Sequence, residues 1–551
     1  MGGTTLPISS RRSQTPIPDA NGETRRTPRR TRLWLATFFG FFAMSMAWSF
    51  ATPYDGFADE LRHVARAYTV AGGEFVYNGP MTDDVPWLTV PKSLSPRGSE
   101  LTKTNYTSCF NWDSSKNASC AVPPGREADK HTMVLVPTGA AQYNPVYYAM
   151  VGGPLRWWPD YRGIYAARAL SAAYNCALIA FCVTACASVR RGRILLSGML
   201  VALTPVVVNF TAGINPAGIE MTGGLAFWTA GVLMAARRRT TPGLLALGAV
   251  GAAILATVRG GGLLWLALNL GVLVFLVPLR RWWPTAKRLW QERAVRWWTA
   301  FVALAVVGAL GWVAIQNPNN GAFTAKQPTP SFAQMTVNSV SQNVWGRGEF
   351  LVNGIVALGG FSDTWPPGFL WSIWFMSFGV VIFGALVFSP WRGRLQLLAL
   401  IIGSAVVTLA ADIVPMSQGH TLSQGRYVIP VLVGVPLLGA WFLYRSGILD
   451  LPRNRTLTRA YVVVLLPLQM VVLYVSMLRY QQGLSQPFPI NPFKGQWLPS
   501  SGPYLPFFLA VTALVAIGAV FWRVSGEDED DPAAPPAASP AAVPAPAGAA
   551  D

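Results

Sequence analysis

Residues 53–73 read P-Y-D-G-F-A-D-E-L-R-H-V-A-R-A-Y-T-V-A-G-G and follow directly on a long apolar segment, 33–51. If this stretch is a helix from Phe57, its apolar side consists of Phe57, Leu61, Val64, Ala65 and Tyr68. Its polar side consists of Asp59, Arg62, His63 and Arg66, with Glu60 on the flank. The pattern predicts an amphipathic helix at a membrane surface. Its acidic groups are either placed for chemistry on a lipid-borne substrate or simply solvated.

The composition excludes a soluble protein. Of 551 residues, 52% are hydrophobic and only 12% are charged, with a mean hydropathy of +0.35. The chain is therefore predicted to be a multispanning membrane protein surrounded by membrane lipids. Its net charge of +18 lies mostly in short clusters between apolar segments. Such clusters set membrane topology, so we exclude a nucleic-acid partner.

Twelve apolar segments are each close to the ~20 residues that cross a bilayer. They are 33–51, 164–188, 194–210, 217–235, 243–258, 261–279, 298–316, 368–388, 395–415, 426–444, 460–477 and 504–523. Together they form one membrane domain, 33–523. Residues 1–32 are basic and residues 524–551 are first acidic and then rich in Pro and Ala. Both termini are predicted to be disordered.

The distribution of Arg and Lys predicts the orientation. If the N-terminus is cytoplasmic, the inward connections all carry basic residues, at 190–193, 237–239, 280–297, 392–394 and 453–459. The protein is thus predicted to be a multi-pass protein of the cytoplasmic (inner or plasma) membrane, with both termini in the cytoplasm. Large extracytoplasmic loops are predicted at 53–163, 317–367 and 478–503.

The five cysteines fall into two groups. Cys109 and Cys120 lie in the polar first loop, where an oxidising compartment favours a disulfide between them. The other three, Cys176, Cys182 and Cys186, lie within one apolar segment, where cysteine is usually a small buried residue.

Ionisable residues collect at the outer ends of the predicted spans, namely Asp59, Glu60, Arg259, Asp363, Asp412 and Arg426. Charged groups near a membrane are costly unless paired or hydrated, so they tend to mark a site. Arginine can also reach the lipid headgroups from a span end. For Arg259 and Arg426, the outer end is the wrong place for a topology signal. Glu220, one turn inside the fourth segment, needs a partner.

Two motifs resemble the signature of a bacterial, actinobacterial-type family of multispanning membrane proteins of unknown function, the DUF2142 family. They are D-E-x-x-H, at Asp59-Glu60 and His63, and Q-G-R-Y, at residues 424–427. Weaker parts of the resemblance are Thr204-Pro205, Asn215-Pro216 with Glu220, Gly360-Phe361-Ser362-Asp363 with Pro366, Pro430, and Trp497 with Pro499. The resemblance covers roughly 33–523. This chain has Leu61 where family members usually have Pro, and Gly56-Phe57-Ala58 in place of a Pro-rich approach.

That family resembles the GT-C glycosyltransferases, membrane enzymes that use a polyprenyl-phosphate sugar donor. The implied fold is an all-α integral membrane protein of about 12 transmembrane helices with a large first extracytoplasmic loop containing an amphipathic helix. The implied activity is inverting transfer of a sugar to a cell-envelope glycan or lipid acceptor at the outer face of the cytoplasmic membrane.

The resemblance and the chemistry together suggest roles for individual residues. Asp59 is the candidate base, because a hydroxyl acceptor needs one. Glu60 is either its partner or a ligand of a divalent metal, Mg²⁺ or Mn²⁺, and no other cofactor is predicted. An anionic lipid phosphate needs cationic donors. The candidate substrate-binding residues are His63, Arg66, Arg259, Asp363, His420, Gln424, Arg426 and Tyr427.

Two other functions stay open at this point. Twelve spans also suit a transporter or flippase of a lipid-linked sugar, although such a protein should show paired broken helices and mid-membrane ionisable residues. A non-catalytic envelope scaffold would not need Asp59 and Glu60.

The orientation makes a direct prediction. A reporter enzyme fused after Tyr106 should be active outside the cell, and one fused after Arg238 should be active in the cytoplasm, because basic loops are retained inside. Reporters that both read the same side would show that the number of spans between them is wrong.

Overall fold

The computed structural model describes residues 21–79, 81–82, 85–95, 107–121, 129–237, 240–316, 331–357, 359–360, 362–417, 423–485 and 487–526. The predicted tails fall largely outside these ranges. The described part is mostly helical, so the chain is a multispanning helical membrane protein.

The helices follow in chain order: α1 (Asn21–Ala51), α2 (Glu60–Ala71), α3 (Pro145–Val151), α4 (Gly153–Trp157), α5 (Tyr161–Ser188), α6 (Leu195–Ala202), α7 (Pro205–Ala212), α8 (Pro216–Arg237), α9 (Pro242–Thr257), α10 (Gly262–Val274), α11 (Trp282–Trp290), α12 (Arg293–Gln316), α13 (Phe332–Ser341), α14 (Gly348–Asn353), α15 (Phe369–Phe388), α16 (Trp391–Ser417), α17 (Ile429–Leu432), α18 (Gly434–Arg445), α19 (Leu451–Gln481) and α20 (Tyr504–Gly526). The strands are β1 (Met81–Thr82), β2 (Val85–Pro91) and β3 (Met133–Pro137). Short 3₁₀ turns lie at Lys92–Leu94, Ala118–Cys120, Gly139–Gln142, Arg190–Ile194, Leu279–Arg281 and Gly425–Val428, and a π turn at Gln342–Gly346.

The predicted count of twelve spans is not confirmed. Within the described ranges, nine helical segments are long and apolar enough to cross a membrane, or eleven if each of two bent helix pairs is one span. The remaining predicted span is α9, which has only 16 residues. The positions of the apolar segments are nevertheless those of the helices.

The two bends have local causes. Between α6 and α7 the axis turns by 79°, because Pro205 cannot continue the preceding helix and Thr204 caps the new one through the amide of Val207. Between α10 and α11 it turns by 91° at Pro278. Helix α11 buries none of its residues and carries three Trp along with Lys287 and Arg288. That composition is typical of a helix lying in the membrane interface.

The first loop is more structured than the sequence predicts. It contains α2, α3, α4 and an antiparallel sheet in the order β1-β2-β3, with Leu88 opposite Val136. Cys109 and Cys120 are joined by a disulfide, the pairing predicted from the sequence. The second loop, expected to be irregular, contains α13 and α14. Helix α1 begins at Asn21, inside the N-terminal segment 1–32 that the sequence predicts to be disordered.

Helix α2 differs from the prediction in two respects. It begins at Glu60 and not at Phe57, because Asp59 adopts a positive φ angle of 59°, which interrupts a helix. It is also no surface helix. Glu60, His63 and Arg66 are all buried, together with Leu61 and Val64 of the apolar side, so most of its polar groups face protein partners.

The packing brings both ends of the sequence together. Helix α1 lies against α5 and α20, α8 lies against α5 and α9, and α18 lies against α6, α8 and α15. One continuous apolar core runs through these helices. The backbone at Gly152 packs closely against α2. A Cβ atom at this position would lie 2.2 Å from the carbonyl oxygen of Ala67.

The disulfide gives a second prediction. Because the first loop is predicted to lie in an oxidising compartment, non-reducing peptide mapping of freshly purified protein should find Cys109 linked to Cys120. The buried cysteines of α5 should react with a thiol reagent only after denaturation. Free thiols at both loop positions would contradict the predicted location of the loop.

Candidate functional site

The segment 52–59, which links α1 to α2, is held by three other helix ends. Arg168 of α5, Asn215 before α8 and Tyr480 of α19 each donate a hydrogen bond to one of its backbone carbonyls. The corresponding ends of α1, α5, α8 and α19 therefore meet at one face of the helical body. The charge pattern predicts this to be the outer face.

Glu60 forms a buried ion pair with Arg168. The Nε and Nη2 atoms of Arg168 lie 2.7 and 2.6 Å from the two carboxylate oxygens of Glu60. The other guanidinium hydrogens go to the carbonyls of Ser49, Thr52 and Pro53. Both side chains are almost fully withdrawn from solvent, so this pair fixes the first turn of α2 against α5.

Asp55 supports the same turn from the loop side. Its carboxylate accepts hydrogen bonds from the amide of Leu61, the amide and hydroxyl of Ser108, and the side-chain amide of Asn111. Burial raises the pKa of Asp55 from 3.8 to about 7, although these hydrogen bonds lower it. The segment next to the disulfide is thereby tied to the start of α2.

Asp59 points to a different partner from its neighbour Glu60. Its Oδ2 accepts a hydrogen bond from Nη2 of Arg426 at 2.7 Å, and its Oδ1 lies 3.1 Å from Arg62. The Asp59 side chain keeps 23% of its surface exposed, whereas that of Arg426 keeps 8%. In the described structure, the Nε of Arg426 is buried and has no hydrogen-bond partner.

A second pair lies beside the first. Arg259 lies 3.5 Å from Glu220 and forms an ion pair with this carboxylate, which the sequence indicated needs a partner. The ring of Tyr427 lies under both Arg259 and Arg426, at 4.2 and 5.3 Å from their guanidinium carbons. With Arg62, this site has three guanidiniums against two carboxylates, an excess of one positive charge.

The surrounding charges shift the protonation of Asp59 and His63. Burial alone would raise the pKa of Asp59, but Arg426 and Arg62 outweigh it and lower the pKa to about 2. Burial lowers the pKa of His63 to about 3, and the neighbouring guanidiniums add to the effect. His63 is therefore neutral, and its Nδ1 lies 2.9 Å from the hydroxyl of Tyr148.

The structure gathers only some of the predicted residues. Asp59, His63, Arg259, Arg426 and Tyr427 lie together, and Gln424, next to them in sequence, has a buried side-chain oxygen without a described partner. His420 lies outside the described residues.

Other predicted residues have structural partners elsewhere. Arg66 donates to three backbone carbonyls, those of Glu74, Phe75 and Tyr143. Asp363 pairs with Arg479 and accepts a hydrogen bond from the amide of Trp112. Asp412 accepts hydrogen bonds from Asn343 and Ser423. These contacts tie loops to helices and do not reach Asp59.

The alternative of a metal held by Asp59 and Glu60 does not fit this geometry. Asp59 is directed to Arg426 and Glu60 to Arg168, so the two carboxylates cannot share an ion in this arrangement. Among the residues with described positions, no group of three or more His, Cys, Asp or Glu could hold a metal.

Sequence reasoning missed Arg168, Asp55 and Arg479 as organising residues. Arg168 had a visible signal, since it is an arginine inside the predicted span 164–188, where an unpaired charge is very unfavourable. Asp55 had none, because its partners Ser108 and Asn111 lie more than 50 residues away.

The comparisons with known proteins add a family and one solved structure. A family model described as "Predicted membrane protein (DUF2142)" matches residues 41–435, a range that contains both members of the Asp59–Arg426 pair. The crystal structure of ArnT from Cupriavidus metallidurans bound to undecaprenyl phosphate is similar with a TM-score of 0.38 and 11% sequence identity, covering 92% of this chain and 77% of that protein. No curated protein matches the sequence.

The low pKa of His63 predicts a pH effect on stability. Between pH 6.5 and about 3 the unfolded chain protonates this imidazole and the folded protein does not, so stability falls as the pH falls through this window. From pH 7.5 to 5 the loss is about 2 kcal/mol by proton linkage. As the pH falls from 7.5 to 5, the free energy of unfolding of His63→Gln should therefore rise by that amount relative to wild type. Thermal denaturation at each pH measures the difference.

The matched control is His131→Gln, because His131 is exposed. Its stability relative to wild type should stay constant from pH 7.5 to 5. A His63→Gln difference that also stays constant would show that His63 accepts a proton equally well in the folded protein.

Proposed function

Starting from the fact that the chain belongs to the DUF2142 family of predicted membrane proteins, we propose that it is a membrane glycosyltransferase. It transfers a sugar from a polyprenyl-phosphate donor to a cell-envelope glycan or lipid acceptor at the outer face of the cytoplasmic membrane. Asp59 is the base and Arg426, helped by Arg259, binds the donor phosphate.

The observation that carries this proposal is the state of the Arg426 guanidinium. It touches the candidate base with one nitrogen, while its Nε is buried without a described partner. A buried N–H without an acceptor is unfavourable by about 1–3 kcal/mol. A phosphate oxygen supplies that acceptor, and the excess positive charge of the site favours an anion.

The ion pair also explains how the base is activated. With a pKa of about 2, the Asp59 carboxylate is a weak base, and general bases work best with a pKa near the working pH. A phosphate that draws Arg426 towards itself weakens the effect that lowers this pKa. Donor binding therefore raises the basicity of Asp59 at the moment when a base is needed.

The chemical step follows from these positions. The acceptor hydroxyl oxygen forms a bond to the anomeric carbon of the sugar while its proton passes to a carboxylate oxygen of Asp59. The bond from the anomeric carbon to the phosphate oxygen breaks, and its electron pair stays on the lipid phosphate. Arg426 and Arg259 stabilise that departing anion.

One feature favours a transporter as the second candidate. The bent pair α6–α7 is a broken apolar segment of the kind found in transporters. However, the other bent pair ends in α11, which buries none of its residues, and the ion pairs of Asp59 and Glu60 lie where helix ends meet. We therefore retain the transferase as the proposal.

Two substitutions test the assigned roles. In purified protein, Arg426→Lys should weaken binding of undecaprenyl phosphate by roughly 1–3 kcal/mol, because lysine keeps the charge and loses the planar set of donors. Asp59→Asn should bind the lipid at least as well, because the amide no longer competes as an anion for Arg426. In a deletion strain, however, the Asp59→Asn gene should fail to restore the missing glycan or to remove an accumulated lipid-linked sugar, whereas the wild-type gene should do so.

Asp113→Asn is the control, because Asp113 is an exposed acid of the same loop that pairs with Lys116. It should behave as wild type in both assays. Full activity of Asp59→Asn would exclude Asp59 as the base and leave Glu60 and Asp363. If the amides at all three positions were active, the transporter would replace the transferase.

A further inference from the structure

A well-defined cavity lies on the other side of the first turn of α2. Its volume is about 470 Å³, within the range of ~300–1,000 Å³ of pockets that hold small ligands. It lies between the start of α5 and the third loop. Aromatic residues Tyr54, Tyr161, Tyr165 and Trp497 line much of it.

One wall carries a hydroxyl that lacks a partner. Tyr54 is only 8% exposed, and its hydroxyl forms no hydrogen bond with any described residue. Buried hydroxyls are normally hydrogen-bonded, and leaving one unpaired is unfavourable. Tyr54 is also one of the residues that line the cavity, so its unpaired hydroxyl favours a polar occupant over an apolar one.

The remaining polar groups at the wall are neutral. Ser119, Gln496 and Ser500 supply hydroxyl and amide groups, and Ser500 lies 3.2 Å from the hydroxyl of Tyr165. Arg168 also reaches the wall, but all five of its N–H groups are already used on Glu60 and backbone carbonyls. The named wall residues thus offer no unused cation to a phosphate or carboxylate.

We propose that this cavity binds a neutral saccharide. Aromatic rings stack on the apolar faces of sugar rings, while the hydroxyl and amide groups pair with sugar hydroxyls. A lipid chain would leave these groups, and Tyr54 in particular, without partners. The cavity also includes residues of loops beyond the helix ends, where a water-soluble ligand can enter.

This binding site stands apart from the proposed phosphate site. Asp59 and Glu60 are consecutive, yet Asp59 pairs with Arg426 and Glu60 pairs with Arg168 at the cavity wall. The first turn of α2 therefore separates the two sites. If the proposed transferase function holds, the saccharide is part of the acceptor, but its binding needs neither donor nor transfer.

The experiment measures binding directly and without donor. Purified protein in nanodiscs is titrated with neutral disaccharides (mannobiose, cellobiose and xylobiose) and with anionic digalacturonate, and binding is followed by saturation-transfer difference NMR. At least one neutral disaccharide should bind, and digalacturonate should not. Trp497→Ala should weaken that binding by about tenfold or more. Tyr54→Phe, which removes a single oxygen, should weaken it by about fivefold.

Trp157→Ala is the matched control, since Trp157 is 73% exposed and does not line the cavity. It should bind as wild type. The proposal is overturned if no neutral disaccharide binds up to about 10 mM, if digalacturonate binds equally well, or if binding is unchanged in both Trp497→Ala and Tyr54→Phe. Loss of transfer in Asp59→Asn has no bearing on this result, so the two proposals fail separately.

Discussion

The buried pair between Glu60 and Arg168 is the contact on which the candidate site depends. Removing one member of a buried ion pair leaves a charge without a partner, which destabilises the folded protein by about 3–5 kcal/mol. Here the guanidinium also binds the carbonyls that end α1, so it connects α1, α2 and α5 at one point. Since Glu60 is held on one side of the turn, Asp59 is directed to the other, where Arg426 lies.

The two carboxylates have opposite relations to their surroundings. Glu60 is completely enclosed and its partner has no donor left, so this pair supports structure. Asp59 is partly open, and Arg426 still has a buried N–H without an acceptor. A site of this kind can exchange one anion for another, whereas the Glu60 pair cannot. The proposed function therefore rests on Asp59, whereas Glu60 supports the architecture, although the sequence presents them as one acidic motif.

The sequence predicts those features that depend on local composition. Apolar segments of about 20 residues identify the membrane helices because the bilayer imposes that length, and charges at span ends identified Asp59 and Arg426. The start of α2, the small sheet and the role of Arg168 could not be predicted, because each depends on contacts between distant segments. Asp55 shows this most clearly, since its partners at Ser108 and Asn111 are defined only by the folded loop.

The separation of partners along the chain also orders the assembly of the protein during synthesis. Glu60 and Arg168 are 108 residues apart, so they can pair once the second long helix has been inserted. Arg426 follows Asp59 by 367 residues and emerges much later. In the interval, Arg62 is the neighbour that can neutralise Asp59. The Glu60–Arg168 scaffold is thus complete long before Arg426, the proposed phosphate-binding group, arrives, and under the proposed function a nascent chain stays inactive until most of its helices are in the membrane.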